Sequence, residues 1–492
     1  MSLSLDTLIR QYPSIRTIHD AFDRKEIFIE DLTHAFLKAA AENTFNAYIT
    51  VCPELALSQA QAAQKIWDQS QKVPREQYPL LGVPIGVKDL IHRQGVRTTC
   101  ASKILENYVP PFSSTAVQRL ESAGAVILGK LNLDEFGMGG SNENSAYGPV
   151  QHPTHPGRVP GGSSGGSACA VKAHLCWGAL GTDTGGSIRL PASYCGIVGL
   201  KPTYGRVSRF GLTAFASSLD QIGPMSRCVE DSALLLDVLS GHDPLDSTSD
   251  LRAPTRSLSQ LSKKVEWKKM RIGVPREYFS EGLSKEVNQA LESALQWFES
   301  QGATRVPLSL PLTPYSIAVY YLIAVSEASS NLARFDGVRY GVRPLSADHA
   351  QNLEEFYTQA RSLFGAEVKR RLILGSFALS SGYADEYYRL ACQVRRKITL
   401  ELEQAFQSVD LIVGPVAPTT AYSVGEKTEP LQMYLNDLYT IPANLAGLPA
   451  LSLPCGEDAE GLSIGLQLMA PHFQEEFLLS VAHAFEIQQK GK

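Results

Sequence analysis

The chain has 492 residues, 44% of them hydrophobic and 19% charged, with a formal net charge of −5 at pH 7. That balance suits a soluble globular enzyme with ample core and excludes a chain that holds nucleic acid through a basic surface of its own, since phosphate binding needs clustered Lys and Arg. Its eight cysteines stand apart with no C-x-x-C pair, which removes the zinc-ribbon and dithiol redox classes and leaves buried free thiols.

The N-terminus shows no basic stretch leading into an apolar one, and no apolar run is long enough to span a bilayer, so a cytoplasmic setting is expected. Residues 3–70 read as amphipathic helices. Leu32, Phe36, Leu37 and Ala40 recur at helical spacing, then Leu55, Ala62 and Ile66, with Pro13 and Pro53 as punctuation. Residues 1–70 are therefore expected to form a helical cap on a main body over residues 71–492, the two making one catalytic domain.

From Pro79 the pattern changes. Leu80-Leu-Gly-Val-Pro-Ile-Gly-Val-Lys88-Asp89 is an apolar, partly β-branched run ending on a charge, the signature of a buried strand that delivers a lysine at its end. Ser114–Ser122 predicts a helix stopped by Gly124, and Ala125–Leu128 the next strand. Strand and helix signals alternate to about residue 240, which predicts an α/β sheet. A polar connection over Leu251–Lys269 carries four lysines, best read as solvated surface. Met270–Val274 then predicts a strand and Lys285–Gln301 a helix. Helices dominate from Tyr315 to about Phe406. Leu411–Val413, Ala450–Leu453 and Ile464–Leu468 predict strands rejoining the same sheet, and Glu475–Gln488 a closing helix.

Two glycine-serine clusters bracket one apolar segment. The first is Pro160-Gly-Gly-Ser163-Ser-Gly-Gly-Ser167, the second Gly181-Thr-Asp-Thr-Gly-Gly-Ser187-Ile-Arg189, and Ser163 and Ser187 lie 24 positions apart. Flexible linkers often have this composition, but Ala168–Leu180 between them is apolar and needs burial. Glycines so concentrated let backbone N–H groups approach a ligand closely.

Three chemistries compete. Gly124-Ala-Val-Ile-Leu-Gly129-Lys130 has P-loop spacing, but Leu131 replaces the required Ser or Thr and the intervening residues form a strand. Gly161-Gly-Ser163-Ser-Gly165 fits a nucleophile elbow only literally, because the proline-rich approach from His152 to Pro160 is a loop where a strand is required. His152 and His155 lack a carboxylate or cysteine to complete a triad or metal site and read as polar loop residues. The third chemistry is a serine activated by a neutral lysine. Lys88, at the end of an apolar strand, suits this role because burial lowers a lysine's pKa. On position alone, an ion pair with Asp89 or another acid at a strand end is the stronger reading of Lys88.

The combination of Val87-Lys88-Asp89, the Ser163 cluster and the Ser187 cluster resembles the amidase signature family. That resemblance implies an α/β fold with a large mixed β-sheet covered by helices on both faces. It also implies a triad of Ser187 as nucleophile, Ser163 as a bridging serine after a cis peptide at Gly162, and Lys88 as base. Backbone N–H groups of Thr184, Gly185, Gly186 and Ser187 would form the oxyanion hole, and Asp183 would pair with Arg189 to hold the turn.

Further segments carry a closer resemblance: Tyr320-Tyr-Leu-Ile-Ala, Glu327–Asn331, Phe335-Asp-Gly-Val-Arg339, Glu367-Val-Lys-Arg-Arg371, Leu379–Tyr383, Met433-Tyr-Leu-Asn-Asp437 and Thr440–Gly447. They are similar to the A-type subunits of glutamyl-tRNA(Gln)/aspartyl-tRNA(Asn) amidotransferases. Such a subunit hydrolyses glutamine, with an arginine on its α-carboxylate and an aspartate on its α-amino group. Motif position assigns these to Arg370 and Asp437, with the adjacent Arg371 an open alternative. An acid within the apolar run around Asp437 needs a partner in any case.

The resemblance further implies no metal or cofactor on this chain. It places ATP and Mg2+ on a B-type partner subunit that receives ammonia through a tunnel and handles the mischarged tRNA, with a small C-type subunit completing a heterotrimer. The rival readings are a free-standing amidase acting on small carbon amides, which has no use for the Arg370/Asp437 pair, and a non-catalytic scaffold, against which the complete set of Lys88, Ser163 and Ser187 argues.

Overall fold

The structure, a computed structural model, describes residues 5–70, 72–279, 282–344 and 349–490. Helices α1 (Leu5–Gln11), α2 (Ile15–Asp23), α3 (Ile29–Glu42) and α4 (Pro53–Ser70) fill the first segment, with strand β1 (Tyr48–Val51) between the last two. There follow β2 (Pro84–Lys88), α5 (Thr115–Ser122), β3 (Val126–Leu131), α6 (Gly165–Lys172), β4 (Gly178–Thr182), α7 (Arg189–Cys195), β5 (Val198–Lys201), β6 (Ile222–Ser226), α8 (Val229–Leu239) and α9 (Ser257–Gln260). The next stretch comprises β7 (Arg271–Pro275), α10 (Lys285–Ser300), β8 (Thr304–Leu308), α11 (Ser316–Asn331), α12 (Leu353–Arg361), α13 (Ala366–Ala378) and α14 (Leu390–Ser408). The chain continues with β9 (Leu411–Pro415), α15 (Pro430–Tyr434), α16 (Ile441–Leu445), β10 (Ala450–Glu457), β11 (Ser463–Met469) and α17 (Glu475–Lys490).

All eleven strands form one sheet in the order β1-β3-β2-β4-β6-β5-β10-β11-β9-β7-β8. It is mixed: β2 runs parallel to β3 and β4, and β7 to β8 and β9. The pairings of β1 with β3, β4 with β6, β6 with β5, β5 with β10, β10 with β11 and β11 with β9 are antiparallel. The strands after residue 410 thus join the same sheet, as expected, and enter it at its middle.

Both faces are covered because successive strand residues point to opposite sides. On β9, Leu411 and Val413 join the apolar cluster shared with the N-terminal helices and α10, while Ile412 joins the cluster under α11, α13 and α14. Ile15, Phe22 and Phe36 of the first helices lie in the same cluster as Ile85 of β2. Strand β1 lies in a region that periodicity predicts as helical throughout. Its four residues, Tyr48 to Val51, pair antiparallel with β3 and form one edge of the sheet, and so short a run is masked by the helices on either side.

The predicted helix at residues 114–122 forms with Ser114 as its N-cap, the hydroxyl accepting from Val117 N at 3.2 Å. Among the described residues no helix is long and apolar enough to cross a membrane.

Candidate active site

Strand β2 is buried at every residue and ends on Lys88, whose side chain is 0% exposed. Its Nζ lies 2.7 Å from Ser163 Oγ, 2.8 Å from Ser164 Oγ and 2.7 Å from Thr182 Oγ1. Three hydroxyls surround it, and among the described residues it forms no ion pair. Loss of hydration pulls its pKa down from the usual lysine value to about 7, against the opposing charges of Asp134, Asp183 and Asp220. The ion pair with Asp89 that position alone favours does not form. Asp89 instead meets Lys130 Nζ at 3.0 Å, because neighbouring strand residues face opposite sides.

The first glycine-serine cluster becomes the turn into α6, and the peptide between Gly162 and Ser163 is cis. Asp134 braces this turn from below, accepting from Asn142 N at 3.0 Å and Asn144 N at 3.1 Å. Gly162 has to be glycine, because a Cβ there would collide with Asp134 Oδ2. The apolar segment after the cluster forms α6 and β4, which return the chain to the same spot. There Ser164 N donates to Ser187 C=O at 3.1 Å, so the two clusters meet. Ser163 is 1% exposed and Ser187 9%, so Ser187 is the more accessible of the two.

The turn from Thr184 to Ser187 presents backbone donors. Among the described residues none of the N–H groups of Thr184, Gly185, Gly186 and Ser187 has an acceptor within the chain. Gly186 adopts φ +150°, and a Cβ there would collide with Thr440 Oγ1. The turn is clamped underneath by the expected Asp183–Arg189 pair, fully buried, with Arg189 Nη2 2.9 Å from Asp183 Oδ1 and Nε 3.0 Å from Oδ2. Arg189 also donates to Thr440 C=O at 2.9 Å and Gln467 Oε1 at 2.7 Å. Its charge and hydrogen bonds hold Asp183 down to about 2, despite the burial that by itself raises it. Asp220 secures the other side by accepting from Thr184 Oγ1 at 2.7 Å and Phe215 N at 2.9 Å.

Beyond the turn lie an arginine and an aspartate. Arg371, on α13, is buried beneath the rings of Phe215, Tyr321 and Tyr434, whose centroids lie 5.7, 5.2 and 5.4 Å from its Cζ. Its Nε donates to Glu367 Oε1 at 2.7 Å. Both Nη groups are without an acceptor among the described residues. Asp437 is half-buried, with Oδ1 3.1 Å from where a Gly186 Cβ would stand. The packed wall around it raises its pKa to about 8, the charge of Arg371 pulling the other way.

Motif position points to Arg370 with Arg371 as the open alternative, and the two differ in their surroundings. Arg370 has a side chain 46% exposed and pairs outward with Glu367 Oε2. Consecutive helical residues differ in direction by about 100°, so Arg371 turns into the packed interior while Arg370 stays at the surface. Helix α13 is itself tethered to the segment that follows Asp134. Its N-cap Gly365 donates to Glu135 Oε2 at 2.7 Å, and burial raises Glu135 to about 7.

The other sequence candidates settle elsewhere. His152 is buried, with Nε2 3.0 Å from Tyr194 C=O and Nδ1 accepting from His155 N at 3.1 Å, so it holds its own loop together. Lys130 lies in β3 as the partner of Asp89. No group of three or more His, Cys, Asp or Glu among the described residues is placed to hold a metal ion. Sequence reasoning missed Ser164, Thr182, Asp220 and Thr440. The doubled serine after Gly162 was the one available signal.

A neutral lysine, a serine in contact with it, a second and more accessible serine and a run of unengaged N–H donors are the parts an acyl-transfer enzyme requires. The chain belongs to the amidase signature family, whose model, described as Amidase, matches residues 31–479. Within that family it is 51% identical over 478 residues to the A-type subunit of glutamyl-tRNA(Gln) amidotransferase from Geobacter metallireducens, covering 96% of each chain. It is 54% identical over 451 residues to the protein of the same name from Synechococcus sp., covering 91% of each. The crystal structure of the corresponding A-type subunit from Thermotoga maritima aligns with a TM-score of 0.77 at 40% identity, over 93% of this chain and 91% of that one. The native peptide amidase from Stenotrophomonas maltophilia aligns with a TM-score of 0.80 at 28% identity, over 97% of each.

Proposed function

We propose that this chain is the glutaminase subunit of a glutamyl-tRNA(Gln) amidotransferase, cutting glutamine into glutamate and ammonia. The observation that carries the chemistry is the placement of Lys88 Nζ among three hydroxyls with no carboxylate. A neutral amine has two N–H groups and one lone pair. Ser164 Oγ already donates to Thr182 C=O at 3.1 Å, so it accepts from Lys88. With Thr182 Oγ1 taking the other N–H, the lone pair faces the hydroxyl of Ser163. Ser163 passes its proton to Lys88 and takes the proton of Ser187, whose Oγ attacks the amide carbon of the substrate. The N–H groups of Thr184, Gly185, Gly186 and Ser187 receive the resulting oxyanion. Collapse breaks the C–N bond, and the proton held by Lys88 returns through Ser163 to the leaving ammonia. Water then attacks the γ-glutamyl ester on Ser187, gives its proton to the same relay, and releases glutamate.

Substrate choice follows from the two charges beyond the turn. A free amino acid is a zwitterion, and its recognition needs one fixed cation and one fixed anion at a set distance from the amide. Arg371 offers two unengaged Nη groups to a carboxylate, and Asp437 offers its carboxylate to an ammonium whose charge would lower its pKa again. A hydrolase of small apolar amides would gain nothing from burying these two groups, so the free-standing amidase is the weaker reading. Ammonia made here would serve a B-type partner subunit that binds ATP, Mg2+ and the mischarged tRNA in the cytoplasm, with a small C-type subunit completing the heterotrimer.

The test is the assembled enzyme carrying Ser187→Ala. Glutamine-dependent amidation should be lost, while amidation from free ammonium salts should continue at the wild-type rate. Loss of both would refute the division of labour, and retention of both would refute Ser187 as nucleophile.

A further inference from the structure

Thr440 is fully buried and lies three residues after Asp437. Its Oγ1 lies 2.6 Å from the carbonyl of Gly185 and 3.1 Å from that of Asp437, and its single proton goes to the nearer, Gly185. That carbonyl shares a peptide unit with the N–H of Gly186, one of the donors without an acceptor among the described residues. The rest of Thr440 is fixed independently: its N–H donates to Asp437 C=O at 3.1 Å, and its own C=O accepts from Arg189 Nη1 at 2.9 Å. The hydroxyl is thus held by the aspartate-bearing segment on one side and by the clamp of the turn on the other. Gly186 leaves room for it, since a Cβ at that residue would overlap Thr440 Oγ1.

We infer that Thr440 is a positioning residue for the oxyanion hole, setting the plane of the Gly185–Gly186 peptide from behind so that the Gly186 N–H points into the cleft. Two physical effects act together. A hydrogen bond to one end of a peptide fixes its rotation, and donation to the C=O polarises the unit and strengthens its N–H as a donor. The contact also links the aspartate segment to the turn. The inference rests on the reading of Gly186 N–H as an oxyanion donor given under Proposed function.

The experiment measures glutamine hydrolysis by the assembled enzyme carrying Thr440→Val, which keeps the shape and loses the hydroxyl, and Thr440→Ser, which keeps the hydroxyl. Ser187→Ala run alongside tests the parent reading separately, because its outcome does not depend on Thr440. Losing an entire oxyanion donor costs about 10²–10³ in kcat, and a donor retained but mis-aimed should cost about 10- to 100-fold. The expected result is that fall in kcat for Thr440→Val with KM changed by less than about threefold, and near wild-type kcat for Thr440→Ser. If Thr440→Val does not fold, Thr440→Ala is compared with Thr440→Ser in the same way. The inference is overturned if the variant lacking the hydroxyl keeps wild-type kcat, if Thr440→Ser falls equally far, or if KM rises while kcat is unchanged.

Discussion

Two lysines on neighbouring strands, both 0% exposed, show what would suit one of them to the base role proposed for it. Lys130 on β3 pairs in register with Val87, the residue before Lys88. Its Nζ meets Asp89 at 3.0 Å and Thr98 Oγ1 at 2.7 Å, which makes it half of a buried ion pair. Lys88 meets three hydroxyls and, at 3.5 Å, the carbonyl of Thr182, with Asp134, Asp183 and Asp220 at longer range. Burial is equal, so the difference lies in the partner. A carboxylate in contact makes a buried lysine a structural cation, whereas hydroxyls allow it to stay neutral and take a proton.

Substitution should separate the two. Lys88→Met should lower kcat for glutamine hydrolysis by about 10³-fold or more, since a general base contributes about 10²–10⁴ and the triad acts as a unit. Its melting temperature should hold or rise, and a kcat within about tenfold of wild type would mean that another group is the base. Lys130→Met leaves Asp89 buried without its cation, which costs about 3–5 kcal/mol. It should show in the denaturation midpoint, with kcat of the folded fraction near normal. If Lys130→Met instead lowers kcat without loss of stability, the contrast between the two lysines fails.

Titration sharpens the same comparison. With Lys88 near 7, kcat/KM for wild type should rise with pH through about 7 to a plateau. Between about 7 and the unfolded lysine value near about 10.4, the unfolded chain binds a proton that the folded chain does not. Stability should therefore fall as pH drops through that window, and Lys88→Met should remove that component of the slope.

Smaller effects belong to the substrate charges. Arg371→Met and Asp437→Asn should each raise KM for glutamine by about 10- to 100-fold, the value of a charged hydrogen bond. Arg370→Ala, which breaks only a half-exposed ion pair, should change KM by less than about threefold. Equal losses at Arg370 and Arg371 would place both on the substrate.

What could be read from the chain was local. Lys88, Ser163 and Ser187 lie in short motifs whose glycines and apolar flanks imply close backbone approach and burial. The α/β character and the return of the last strands to the same sheet follow from periodicity. What escaped was set by contacts distant in sequence. Asp89 looked like the partner of Lys88 until strand pairing brought Lys130 to it. Arg370 and Arg371 are indistinguishable as letters, and only the packing of α13 against Phe215, Tyr321 and Tyr434 tells them apart. Thr440 carries no motif of its own, because its role comes from a hydrogen bond to a residue 255 positions away.

The strand order has a consequence for biogenesis. Strands β10 and β11 lie between β5 and β9, and Arg189 donates hydrogen bonds to Thr440 and Gln467, 251 and 278 residues further on. A ribosome making this chain therefore emits Lys88, Ser163 and Ser187 long before the sheet's centre can close. Until the segment from Thr440 to β11 arrives, Arg189 lacks its acceptors on Thr440, Asn444 and Gln467, and the turn holding Ser187 lacks that support. Chains truncated before β11 should lack glutaminase activity even though they contain Lys88, Ser163 and Ser187.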